Sequence, residues 1–177
     1  MRHATSRRKS APARLPGRLC VGGLTAVLAD EGALTRVAAC VRGAADYFRR
    51  ADHDRSPDRI AAEALAEALA DDQRLLFVLE DAASEPVGLL DLALDAPAPQ
   101  EVTIALLGLA RHRRGLGLGR EVVEGLFAAL DAAGFERVRL GVAPGEAQAA
   151  GFWAAVGMWP CGEDGGVRLF ERPLQES

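Results

Sequence analysis

The chain has 177 residues, 49% apolar and 26% charged, the values of one globular domain large enough to bury its own core. No apolar stretch reaches the length of a membrane span, and Cys20, Cys40 and Cys161 are odd in number with no C-x-x-C pair, which argues against a disulfide framework or a zinc site. The net charge of −4 is unevenly spread: residues 1–18 hold six Lys/Arg and no acid, so the rest carries 15 bases against 25 acids, a net of −10.

The basic segment 1–18 has few apolar residues and reads as a disordered extension ahead of a single domain over 19–177. Its Arg/Ser-rich character is that of a transit peptide, but it forms no convincing amphipathic helix. Leu19 to Leu28 is apolar and predicts a first strand with a bulge at Gly22-Gly23. Asp30 is placed to cap a helix whose apolar positions Leu34, Val37, Val41, Ala45 and Phe48 follow a 3.6-residue period. Ser56-Pro57 is a cap followed by a first-turn proline, opening a second helix through Leu69. Strands follow at Leu75–Leu79, Val87–Leu94 and Val102–Leu109, then a glycine-rich turn and a helix from Glu121 that buries Val122, Val123, Leu126, Phe127 and Leu130. Arg137–Val142 alternates as a half-buried strand. Pro144-Gly145 then leads into a helix over Glu146–Val156, and strands at Met158–Cys161 and Val167–Phe170 flank Glu163-Asp164-Gly165-Gly166, a hairpin signal. The predicted order is β-α-α-β-β-β-α-β-α-β-β, an α+β three-layer domain with a mixed, mainly antiparallel sheet.

The richest segment is Ala110-Arg-His-Arg-Arg-Gly-Leu-Gly-Leu-Gly-Arg120. Three alternating glycines lie between a strand and a helix, and no acid occurs between Glu101 and Glu121, while Arg111, Arg113, Arg114 and Arg120 all fall inside. Glycines let successive N–H groups converge on an anion, and the helix N-terminus adds partial positive charge. The spacing G-x-G-x-G fails the dinucleotide fingerprint G-x-G-x-x-G, and with Lys9 as the only lysine there is no Walker A loop.

What remains, Arg114-x-x-Gly117-x-Gly119 after a strand, resembles the acyl-CoA motif of the GNAT N-acetyltransferase superfamily. Ala149, Trp153, Gly157 and Met158 match, in order and spacing, the A-x-x-x-Y-x-x-x-G-F helix of the same superfamily, and the predicted element order is also that of its fold. "Ala-Asp-Tyr-Phe" at 45–48 is similar to one uncharacterised branch of small bacterial members. The resemblance implies acetyl transfer from acetyl-CoA to an amine of a small molecule or peptide by direct attack in a ternary complex. It implies pyrophosphate on the N–H groups of Leu116, Gly117, Leu118, Gly119 and Arg120, in the loop that includes Gly115 and is shaped by Arg114. The pantetheine arm is implied to run along Leu107–Leu109. A bulge at Gly108 is expected, with the N–H of Leu107 or Leu109 polarising the thioester carbonyl.

Candidate bases for the amine are Glu101 and Asp91; each also reads as an ordinary strand charge or ion pair. Some relatives carry a glutamate where Thr103 stands, and Glu101 lies two residues earlier on the same face. Where many relatives have a tyrosine able to protonate the leaving thiolate, this chain has Trp153, whose indole is no acid near neutral pH; Trp153 is expected to pack against pantetheine or core. Tyr47 and Phe48, beside Asp46, offer an aromatic wall for an amine, and an interhelix hydrophobic plug explains the same residues. A non-catalytic acyl-CoA-binding protein is the alternative reading. The acidic body argues against nucleic acid as the main partner. His3, His53 and His112 show no metal spacing, and none of the five serines sits in G-x-S-x-G. No metal, no membrane, a cytoplasmic location with core cysteines, and a homodimer as a family trait complete the expectations.

Overall fold

A computed structural model describes residues 15–51 and 54–174, so most of the basic segment lies outside the described residues. The strands β1 (Arg18–Val21) and β2 (Leu24–Leu28) are followed by the helices α1 (Leu34–Gly43), α2 (Ala45–Ala51) and α3 (Pro57–Ala70). Three consecutive strands come next, β3 (Arg74–Glu80), β4 (Pro86–Leu94) and β5 (Glu101–Leu109). The chain closes with α4 (Leu118–Ala132), β6 (Arg137–Val142), α5 (Ala147–Ala155), β7 (Trp159–Asp164) and β8 (Val167–Pro173). The eight strands form one sheet in the order β1-β2-β3-β4-β5-β6-β8-β7, antiparallel everywhere except between β5 and β6. The α+β mixed-sheet expectation therefore holds.

The order differs from the expected one at the start of the chain. Gly22-Gly23 is a two-residue hairpin turn, with Val21 opposite Leu24, so the predicted bulged strand is a pair of strands. Gly22 has φ +68°, the left-handed conformation such tight turns require. The turn abuts α4, where Gly23 N–H donates to Glu121 Oε2 at 3.2 Å. Asp30 does not cap α1: its carboxylate accepts from Gly32 N–H within the preceding turn, and Ala33 occupies the cap position. The predicted first helix is also two helices, broken at Ala44, where the backbone leaves helical geometry. Ser56 caps α3 as expected, its Oγ accepting from Arg59 N–H at 3.3 Å. Leu15 is packed in the core and Arg18 opens β1.

Apolar side chains divide by strand face into two cores. Leu90, Leu92, Leu94, Val102 and Ile104 pack with Val122, Val123, Leu126 and Leu130 of α4 and Trp153 of α5. On the other face Leu76, Val78 and Leu89 pack with Val37, Val41, Ala61 and Leu65 of α1 and α3. This is the three-layer arrangement, with period-2 alternation in the strands meeting a helical stripe on each side. Of the three cysteines only Cys40 is buried. Its thiol donates to Gly88 O at 3.2 Å, and burial pushes its pKa up to about 11, so it behaves as a small core residue. Cys20 and Cys161 are exposed, contrary to expectation, because β1 turns one face outward and every residue of β7 is exposed at the sheet edge.

Candidate functional site

The site arises where the sheet stops being continuous. β5 and β6 pair in parallel only at Glu101–Arg137, Val102–Val138 and Thr103–Arg139. Beyond Thr103 the register ends and the strands part. The cause on the β4 side is a bulge: Asp91 faces Leu106 while Leu92 faces Ile104, leaving Ala105 as the extra residue. The bulge is thus at Ala105 and not at Gly108, which pairs in register with Leu89. The neighbour that needs to be glycine there is Gly88, where a Cβ would meet Gly108 O at 2.6 Å.

The splay opens a cleft of about 260 Å³ lined by Ile104–Leu107 of β5, Leu140–Val142 of β6, Ala143, Pro144, Glu146, Ala149, Trp153 and Tyr47. It continues into a groove of about 480 Å³ that reaches the glycine turn, lined by Leu107–Leu109, Arg113, Arg114, Gly115, Gly117, Gly119, Arg120, Gln148 and Phe152. Tyr47, Leu107, Glu146, Ala149 and Trp153 border both parts. The Pro144-Gly145 turn and Glu146 complete the wall opposite β5; the only sequence signal for them is a proline-glycine turn between strand and helix.

At the far end, α4 begins at Leu118, three residues before the predicted start, with Gly117 as its N-cap at φ +79°. Gly115 is also left-handed at φ +76°, and no atom lies within 4 Å of where a Cβ on either glycine would stand. The first N–H groups of a helix have no intrahelical acceptor, so Leu118, Gly119 and Arg120 present theirs at the mouth of the groove with the helix dipole behind them. Backbone donors at a helix N-terminus are of the kind that suit an anion.

Arg113, Arg114 and Arg120 of the acid-free window each have an acidic side chain within ion-pair distance. Arg113 is paired with Asp81, whose carboxyl is held low first by the Glu85 N–H, and Arg120 lies 3.9 Å from Glu124. Arg114 donates from Nε to Leu109 O at 3.0 Å and makes a two-pronged pair with Asp46, at 2.6 Å and 3.1 Å. It ties together the end of β5, the turn and α2. The Arg114 hydrogen bond holds the Asp46 carboxyl below its ordinary value of 3.8. A depressed folded pKa contributes stability above the unfolded value that is lost as pH falls through the folded one. The Asp46–Arg114 pair is therefore expected to persist through the neutral range and to open only in acid, below about pH 4. A carboxyl-carbon NMR titration of Asp46 with a midpoint at or above 3.8 would contradict this.

Of the other residues singled out from sequence, Trp153 is 8% exposed, packed in the larger core and edge-on to Phe152 at 5.0 Å, while also lining the cleft. Tyr47 lines the cleft and Phe48 packs against the smaller core. Leu116 is 68% exposed at the tip of the turn. Asp91, 7% exposed, is gripped by Arg74 through Nε at 3.1 Å and Nη2 at 2.5 Å. Glu101 belongs to a four-residue network. Arg139 Nε lies 2.9 Å from its Oε2 in an ion pair that is not a well-aligned hydrogen bond, and Arg137 links it on to Glu171 at 2.9 Å. Neither carboxylate lines the cleft, and the one that does is Glu146. His3 and His53 lie outside the described residues. Among the described residues no cluster of His, Cys, Asp and Glu has metal-binding geometry, and no helix is long and apolar enough to cross a membrane.

The site is thus a mixed sheet split between two central strands that pair in parallel, with a glycine turn feeding a helix N-terminus at the mouth of the split. Residues 24–158 match the acetyltransferase (GNAT) family, and the chain belongs to that family. Among solved structures it is similar to an acetyltransferase from Thermus thermophilus, with 25% identity and a TM-score of 0.77 over 86% of this chain and 98% of that one. It shares its fold with spermidine N-acetyltransferase from Vibrio cholerae, solved with CoA and spermine, at 17% identity and a TM-score of 0.68 over 86% and 96%. The PaiA N-acetyltransferase of Thermoplasma acidophilum, solved with coenzyme A, is similar at 12% identity and 0.66 over 85% and 98%. No curated protein matches the chain.

Proposed function

We propose that this protein moves an acetyl group from acetyl-CoA to a primary amine of a small molecule or peptide, by direct attack of the amine on the bound thioester. The observation that carries the reading is the continuity of the cleft, from the N–H groups at Gly117–Arg120 to the gap between β5 and β6. The pyrophosphate is assigned to the turn, over Gly115, Leu116, Gly117, Leu118, Gly119 and Arg120, and the pantetheine to the wall formed by Leu107–Leu109 and Trp153. Main-chain N–H groups of β5 beyond Ala105, where pairing with β6 has ended, are available to polarise a thioester carbonyl. Tyr47 forms the acceptor-side wall.

Proton removal from the amine is assigned to Glu101, acting through water because its carboxylate does not line the cleft, with Asp91 as the second candidate. Glu101 lies on the strand face away from α4, two residues before the β5–β6 pairing ends. Asp91 is held more deeply by Arg74. Glu101→Gln is expected to lower kcat about 100-fold, the lower end of general-base contributions, and Asp91→Asn to act mainly on stability. Equal kcat in wild type and Glu101→Gln would remove Glu101 from the mechanism.

The reading as a whole is tested by a panel of primary amines, with acetyl-CoA as donor and thiol release as the signal. Amine-dependent release is expected for at least one. Tight CoA binding with no release on any amine would support a non-catalytic acyl-CoA-binding protein, the reading that Trp153 favours by displacing the usual proton donor.

A further inference from the structure

The helix α2 reaches the point where the two halves of the cleft meet, and it brings a phenol there. A ligand extending from the glycine turn into the splay must pass Tyr47, Leu107, Glu146, Ala149 and Trp153, the residues common to both parts. A departing thiolate is best met by a proton donor at this passage. Leu107 and Ala149 have none to give, the Trp153 indole is too weak an acid, and Glu146 is a carboxylate suited to accepting. Among the described residues Tyr47 is the only hydroxyl side chain lining either part of the cleft, and it is the only tyrosine in the chain. A phenol of ordinary pKa about 10 lies close enough to a thiol of about 8.5 to share a proton with a sulfur that is gaining charge.

The position of Tyr47 is set from two sides. Its neighbour Phe48 meets the ring edge-on at 5.2 Å and packs into the smaller core. The residue before it, Asp46, takes both terminal nitrogens of Arg114, and Arg114 is itself tied to Leu109 O at the end of β5. A planar fork of this kind fixes orientation as well as distance. The arginine of the donor loop therefore acts through α2 and is not available as a free phosphate cation.

We propose that Tyr47 is the catalytic proton donor to the departing CoA thiolate, and that Asp46, through its pair with Arg114, is the residue that positions it. This rests on the acetyl-transfer reading above. As the amine nitrogen bonds to the acetyl carbon, the C–S bond breaks and its electron pair passes to sulfur, which takes the Tyr47 hydroxyl proton. The proton released by the amine returns through solvent to the phenolate. Thioester and amine become thiol and amide with no further reactant.

The test uses the full chain, acetyl-CoA and an amine accepted in the panel. Tyr47→Phe is expected to lower kcat about 10- to 100-fold, modest for a general acid because a thiolate is a tolerable leaving group, while KM for acetyl-CoA stays within about twofold. Asp46→Asn should lower kcat to a similar extent, and Asp46→Glu should restore most of it. With one tyrosine in the chain, 3-fluorotyrosine labelling yields a single fluorine resonance. That signal should shift on adding CoA, shift much less with adenosine 3′,5′-diphosphate, which lacks the pantetheine thiol, and already be displaced in Asp46→Asn before any ligand. Unchanged kcat in Tyr47→Phe, or CoA binding seen by calorimetry without a fluorine shift, overturns the proposal alone. Absence of thiol release on every amine overturns the acetyl-transfer reading and the proposal with it.

Discussion

Gly117→Val is expected to raise the dissociation constant for acetyl-CoA at least about 100-fold, the loss of one or two charge-assisted N–H contacts. Gly117 caps α4 at φ +79°, a conformation that a β-branched residue adopts only under strain. Relieving that strain would rotate the peptide planes that aim N–H groups at the pyrophosphate. The fold itself should survive: no atom lies within 4 Å of the position of the new Cβ, so the direct cost to stability is the backbone strain of about 1–2 kcal/mol. Calorimetric binding combined with a denaturation curve separates the two effects. Near-normal acetyl-CoA affinity in a folded Gly117→Val would sink the assignment of the turn as the donor cradle. Gly119 is constrained differently, since a Cβ there would stand 3.3 Å from the Phe152 ring and push on α5.

Trp153→Ala carries the largest expected cost to stability, about 3–5 kcal/mol, the usual range for removing a buried indole. The side chain is 8% exposed and packed in the larger core beside Phe152, so its loss leaves a void between α5 and the sheet. The same ring forms the wall shared by both parts of the cleft, so acetyl-CoA affinity should fall together with stability. Trp153→Phe, which keeps most of the apolar volume, should cost far less on both counts. A Trp153→Ala protein with an unchanged urea midpoint would show that α5 is not held by this side chain.

Much of the candidate site is legible in the sequence because its parts are local. A strand, three alternating glycines and a helix start are consecutive in the chain, and the backbone conformations at Gly115 and Gly117 are those that only glycine adopts readily. The Ala149–Trp153–Gly157 helix is likewise a contiguous pattern. Element boundaries differ from expectation where turn chemistry mimics something else. Gly22-Gly23 fits a bulge within one strand, yet two adjacent glycines also make the tightest hairpin turn, and only the pairing of Val21 with Leu24 distinguishes them. At Gly108 a glycine in a strand points to an irregularity, but the close approach belongs to its neighbour Gly88 on β4.

Charge is the least legible property. The window from Arg111 to Arg120 holds no acid in sequence, but Asp46 and Asp81 reach it from other elements of the fold. In sequence Asp91 and Glu101 each read as a candidate base or an ordinary ion pair, without naming a partner; in the fold Asp91 meets Arg74 and Glu101 meets Arg137 and Arg139. By itself the sequence determined the family and the glycine turn to which the donor's phosphates are assigned, because these depend on backbone conformation and on residues a few positions apart. Only the tertiary structure decided where β5 and β6 separate, which carboxylates are occupied and that Tyr47 borders the same passage as Trp153. Those facts depend on register and on side chains meeting across tens of residues, and no local pattern encodes such meetings.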